Sequence, residues 1–166
     1  MSLRISICLI SVVLQISLLG CNSGPETSPK VPTAAEPAHI PVELAVYMGR
    51  MQVYTEKTWF AGKAKNWELA SFYLHEIEEI IEEVEKAKVV EDGHDISTLI
   101  TTSLSTPVRQ LEEAIKTQDL PKFEERYPIV VRNCNNCHAA TKHAFIQLKT
   151  PDRPAFSSQI FEPVAP

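Results

Sequence analysis

Residues 119–138 read DLPKFEERYPIVVRNCNNCH. Asp119 stands where a helix cap is wanted, and Phe123, Tyr127, Val130 and Val131 then supply an apolar face, which predicts a helix bent at Pro128. That helix closes on Cys134-Asn135-Asn136-Cys137-His138, a C-x-x-C-H run and the usual mark of covalent c-type haem attachment. Each residue type supplies a different part of the chemistry, since two thiols add across the haem vinyls and the adjacent imidazole binds the iron. Zinc would need one or two further soft ligands at short spacing, and none is present. A dithiol redox pair of the thioredoxin kind would want a βαβ context, whereas these flanks are helical.

Working outward, three more helices are expected. The first starts at Pro41, which suits a first helical position, and runs to about Phe60, with Leu44, Met48, Met51, Thr55 and Trp59 as its inward stripe. Ala61-Gly62 then loosens the chain. The second runs from about Asn66, a candidate cap, to Val90, with Leu69, Phe72, Tyr73, Glu76, Ile77, Ile80, Ile81 and Val84 at core and shoulder positions. Its remaining glutamates face water, and Gly93 ends the element with His94 in the turn. The third spans about Ile96 to Lys116 and is expected to kink at Pro107, because Leu104, Val108, Leu111 and Ile115 keep one stripe through it. No hairpin is expected. The fold class is therefore all-α, an antiparallel four-helix bundle over residues 41–166 that carries one covalently attached haem c.

The N-terminus begins with Arg4 and an apolar run from Ile5 to Leu19, shorter than the roughly twenty residues of a membrane span. Leu18-Leu19-Gly20-Cys21 looks like a bacterial lipobox. Residues 1–20 are thus read as a lipoprotein signal, Cys21 as the lipidated terminus, and 21–40 as a tether in which Pro25, Pro29, Pro32 and Pro37 prevent helix. All four cysteines then have places: Cys8 in the signal, Cys21 on lipid, and Cys134 with Cys137 on haem. The formal charge of −5 becomes −6 when Arg4 leaves with the signal. An acidic body argues against nucleic acid as partner, and a doubly acylated terminus needs no basic patch to hold a bilayer. The expected address is the periplasmic face of a bacterial membrane, the outer membrane slightly favoured because Asn22 is not an aspartate.

If the helices alternate in direction, the start of the first and the end of the fourth share one end of the bundle, and the haem lies there. His138 is the proximal ligand. With a rise of about 1.5 Å per residue, Met48 comes level with Cys134, while Met51 and His75 fall about one turn lower. Met48 is the first choice for the sixth ligand, with Met51, His75 or an open site as alternatives. His94 is at the right end but in a loop, and His143 would have to fold over the ring.

At this point the chain resembles a bacterial monohaem cytochrome of the cytochrome c-prime type, a bundle with C-x-x-C-H near the end of its last helix. Lys57-Thr58-Trp59-Phe60-Ala61-Gly62, Asn66-Trp67-Glu68-Leu69-Ala70 and Cys134-Asn135-Asn136-Cys137-His138-Ala139 are similar to stretches of exported cytochromes. The resemblance implies that a methionine near the start of helix one, here Met48, is the sixth ligand of low-spin relatives. High-spin relatives have an apolar residue there and bind gases. The chain departs from that family in its lipid anchor and in its tail, where Phe145-Ile146-Gln147-Leu148, Pro151, Pro154 and Phe156 look like an arm covering the bundle or the haem edge.

The expected function is one-electron transfer by a membrane-anchored, non-enzymatic carrier whose redox partner is a protein, a basic one included. The alternatives are a five-coordinate sensor or binder of a small gas such as nitric oxide, and a haem-containing interaction subunit. The sequence leaves the oligomeric state open, a homodimer included.

Overall fold

The computed structural model describes residues 43–164. The expected signal, lipidated Cys21, tether and Pro41 helix start lie outside the described residues. Among those described are four helices, α1 (Leu44–Lys63), α2 (Trp67–Ala87), α3 (Ile96–Lys116) and α4 (Leu120–Ala140), and one small hairpin, β1 (Val90–Glu91) with β2 (His94–Asp95).

Local signals account for most of the boundaries. Three helices open on a side chain that accepts a bond from a main-chain N–H three residues on: Asn66 from Leu69, Asp95 from Thr98, and Asp119 from Lys122. Pro107 sits buried inside α3, and the helix continues through it. Ala61 and Gly62 do not loosen the chain. They are buried in the last turn of α1, where a Cβ on Gly62 would land within the Phe123 ring, so the missing side chain is what lets α1 and α4 approach.

The hairpin corrects the expected connection between α2 and α3. Helix α2 ends at Ala87 with Lys88 left-handed, and Asp92-Gly93 form a two-residue turn with φ of 49° and 79°. Positive φ at both central residues is the turn that Asp-Gly favours between paired strands, and Val90 pairs with Asp95, Glu91 with His94. The phase of α2 also differs from expectation. Small Ala70 is buried with Tyr73, Leu74, Ile77, Ile80, Ile81 and Val84, while Phe72 is left 54% exposed.

Paired contacts fix the direction of each helix. Arg50 forks onto Glu83 between α1 and α2, and Ser97 Oγ donates to the Val84 carbonyl between α2 and α3. Arg126 donates to Gln110 between α3 and α4, and the Tyr127 hydroxyl donates to the Thr55 carbonyl between α4 and α1. Each pair joins the early part of one helix to the late part of its neighbour, or two middles, as an up-down-up-down arrangement requires. One end of the bundle, where α1 meets α4, is closed by stacked rings: Trp59 lies 5.8 Å from Phe123 and 4.7 Å from Tyr127, with Trp67 edge-on to Phe123. The other end is open.

Candidate functional site

A cleft of about 420 Å³ occupies the open end, within the ordinary range for a cofactor or ligand pocket. Helix α1 contributes Leu44, Met48, Met51 and Thr55, α3 contributes Ile96, Ile100 and Leu104, and α4 contributes Cys134, Cys137 and His138. The chain beyond α4 supplies Thr141, His143, Ile146 and Leu148. The walls are mostly aliphatic, and the polar or soft donor atoms come from α1, α4, the segment that follows α4, and Glu91 on β1.

The motif lies in the last two turns of α4, with Cys134 buried and Cys137 half-buried. Cysteines three apart on a helix share one face, and both line the cleft. Burial, and secondarily the neighbouring Cys137, pushes the Cys134 thiol up to about 11. Burial raises Cys137 as well. Dithiol exchange calls for a lowered thiol pKa, and this environment does the opposite.

His138 ring geometry is set by the chain that follows it. Its Nδ1–H donates to the Ile146 carbonyl at 3.0 Å, because a carbonyl can only accept. In the neutral ring this tautomer leaves Nε2 with its lone pair, the arrangement that metal-binding imidazoles commonly show. His143 is built similarly: its Nδ1–H donates to the Thr141 carbonyl at 2.7 Å, and its own main-chain N–H donates to the His138 carbonyl at 2.7 Å. That last bond draws His143 to the His138 side of the cleft, whereas Met48 and Met51 come from α1.

The structure therefore brings together Cys134, Cys137, His138 and Met48, and adds Met51 and His143 to the same cleft. Met51 is 5% exposed and Met48 is half-buried. His75 is not among the lining residues. It stands on the outer face of α2 beside Glu78 and Glu79, with its side chain 65% exposed, because the buried phase of α2 runs through Leu74 and Ile77. His94 lies on β2 and does not line the cleft. Among the described residues no three His, Cys, Asp or Glu side chains converge as metal ligands.

Ile146 and Leu148 of the expected covering arm, and His143, do line the cleft, whereas sequence reasoning gave Asn135 no role. A half-buried polar residue inside the motif, paired with an apolar tail, is the trace such contacts leave. Asn135 donates to the Leu148 carbonyl at 2.9 Å and accepts from the Leu148 N–H at 2.8 Å. Beyond it the tail runs along the bundle. The Ala155 N–H donates to Glu56 at 2.8 Å, Lys57 sits 4.7 Å from the Phe156 ring centre, and Phe161 is buried against Phe60. Asn66 donates to the Glu162 carbonyl at the closed end.

The residues fit a covalently held haem: two thiols and one imidazole with a free Nε2 face an aliphatic cleft, with thioether sulfur on another wall. No family model, curated protein or solved structure matches the chain. No helix among the described residues is long and apolar enough to cross a membrane.

Proposed function

We propose that the chain is a one-electron carrier with a single haem c, resembling the low-spin bundle cytochromes of the c-prime type. The observation that carries the reading is the shared cleft: C-x-x-C-H on α4 and the methionines of α1 line one aliphatic space. Cys134 and Cys137 would hold the haem as thioethers, with His138 Nε2 and the Met48 sulfur as the protein's iron ligands. The haem supplies a one-electron couple.

The protein's own part is to orient His138, exclude water with Leu44, Ile96, Ile100, Leu104 and Leu148, and present a neutral sulfur donor. A thioether favours the reduced iron relative to a second imidazole and so raises the potential. The lipobox-like Leu18-Leu19-Gly20-Cys21 supports anchoring to the periplasmic face of a membrane through Cys21, and the acidic body suits a basic redox protein.

The test is the visible spectrum of the reduced and oxidised protein, with and without carbon monoxide. A low-spin spectrum with the weak thioether-to-iron charge-transfer band is expected, and Met48→Ala should abolish that band and admit carbon monoxide. Met51→Ala should keep the band while costing about 2–5 kcal/mol of stability, as truncation of a buried methionine does. A wild-type spectrum already high-spin, with rapid carbon monoxide binding, would overturn Met48 and transfer the assignment to a gas-binding protein.

A further inference from the structure

Residue 135 lies between the two cysteines, where the chemistry of attachment asks nothing of the side chain. Here it is an asparagine whose amide faces the tail. Its Nδ2 donates to the Leu148 carbonyl at 2.9 Å, and its Oδ1 accepts from the Leu148 N–H at 2.8 Å. A carboxamide on a short stem offers a donor and an acceptor together, so it treats Leu148 as a neighbouring strand would. Residues 145–150 have no regular structure of their own, and their main-chain polar groups need partners from elsewhere.

Two residues before the clamp, Ile146 has its N–H on the His143 carbonyl at 2.8 Å and its carbonyl on His138 Nδ1 at 3.0 Å. Ile146 and Leu148 also line the cleft. One short stretch of tail thus answers to two side chains of the same motif, Asn135 and His138, and closes one side of the cleft above them.

We propose that Asn135 is a positioning residue: by clamping Leu148 it holds the Ile146 carbonyl on His138 Nδ1–H, fixing the imidazole's orientation and keeping Ile146 and Leu148 in the cleft wall. Its use rests on the haem-carrier reading, but the geometry does not. The acceptor carbonyl belongs to an irregular segment that the Ile146 N–H bond to His143 holds on its N-terminal side, and the Asn135 clamp holds it on its C-terminal side. Farther along, the tail is fastened separately through Ala155, Phe156, Phe161 and Glu162. Release of the clamp is therefore local.

The test compares the full chain with Asn135→Ala, Asn135→Asp and, as a control in the same motif, the exposed neighbour Asn136→Ala. Hydrogen exchange is followed by NMR in the reduced protein, at the Leu148 and Phe161 amides and at His138 Nδ1–H. In Asn135→Ala, Leu148 N–H and His138 Nδ1–H should both exchange on the order of tenfold faster, the effect of losing a pair of ordinary hydrogen bonds, with Phe161 unchanged. Asn135→Asp keeps the acceptor and loses the donor, so it should fall between. Asn136→Ala should match wild type. Unchanged exchange at His138 Nδ1–H in Asn135→Ala, or an Asn136→Ala effect of the same size, overturns the proposal. The Leu148 comparison is made on haem-free chain as well, so a protein that takes up no haem overturns the proposed function and leaves the clamp decided on its own readout.

Discussion

The hydroxyl of Tyr127 donates to the main-chain carbonyl of Thr55 at 3.0 Å, joining α4 to α1 in the buried interior beside the cleft. Thr55 is itself turned inward by a bond from its Oγ1 to the Met51 carbonyl at 2.7 Å. The same turn of α1 thus carries a cleft methionine and the interhelical tie. Above it the bundle opens, and below it Trp59, Phe123 and Trp67 close it. Tyr127→Phe should cost about 0.5–1.5 kcal/mol, the net worth of one such bond, read as a lower urea midpoint with unchanged slope. A variant as stable as wild type would show that this tie contributes nothing.

The Cys134 thiol gives a pH signature that reports whether its sulfur is free. Burial raises it from 9.0 to about 11 in the folded chain. Between those values an unfolded chain has lost this proton and the folded chain keeps it. Stability of the haem-free chain should therefore be intact below pH about 9 and fall by roughly 2 kcal/mol as pH rises to about 11. Tyr127, also raised by burial, adds slope in the same direction, so the comparison is with Cys134→Ser. That variant should be less stable at neutral pH but flatter across the window, and a haem-bearing chain, whose sulfur is a thioether, should be flat in the same way. Equal slopes in all three would refute the assignment.

Much of the bundle was legible because its signals are local. Asn66 and Asp119 sit where helices need acceptors, and the bounds of α3 follow from a stripe that runs unbroken past Pro107. What failed has two causes. Asp92-Gly93 is a strong turn dipeptide, but strands of two residues carry no alternation to go with it, so the stretch between the two helices reads as a plain turn. The outward position of His75 depends on the phase of α2, which is decided by close packing at Ala70 and Leu74 and not by the size of Phe72. The cleft was legible through the motif and the α1 stripe. Its tail-built wall was legible as an apolar arm from Phe145 to Phe156, but the clamp that fastens it was not, since the Asn135 amide bonds only main-chain atoms of Leu148.

The acidic outer face of α2 makes a salt-dependent encounter with a basic redox protein the expected behaviour. Glu79, Glu82 and Glu85 are exposed there. Raising ionic strength from about 0.01 to 0.15 M shortens the screening length from about 30 to 8 Å and should slow association markedly. A rate indifferent to salt would shift the contact to the cleft rim, where Phe145 is 79% exposed next to His143.

Whether Cys134 and Cys137 carry a haem covalently is read from the intact mass of the mature chain. The protein is produced in a bacterial periplasm with haem-attachment machinery, then extracted with acid acetone, which removes haem that is not bonded to protein. The account predicts a polypeptide heavier by one haem, with the increment absent when Cys134 and Cys137 are both changed to Ala. A wild-type chain at the bare polypeptide mass, with its haem in the organic phase or none present, would contradict it.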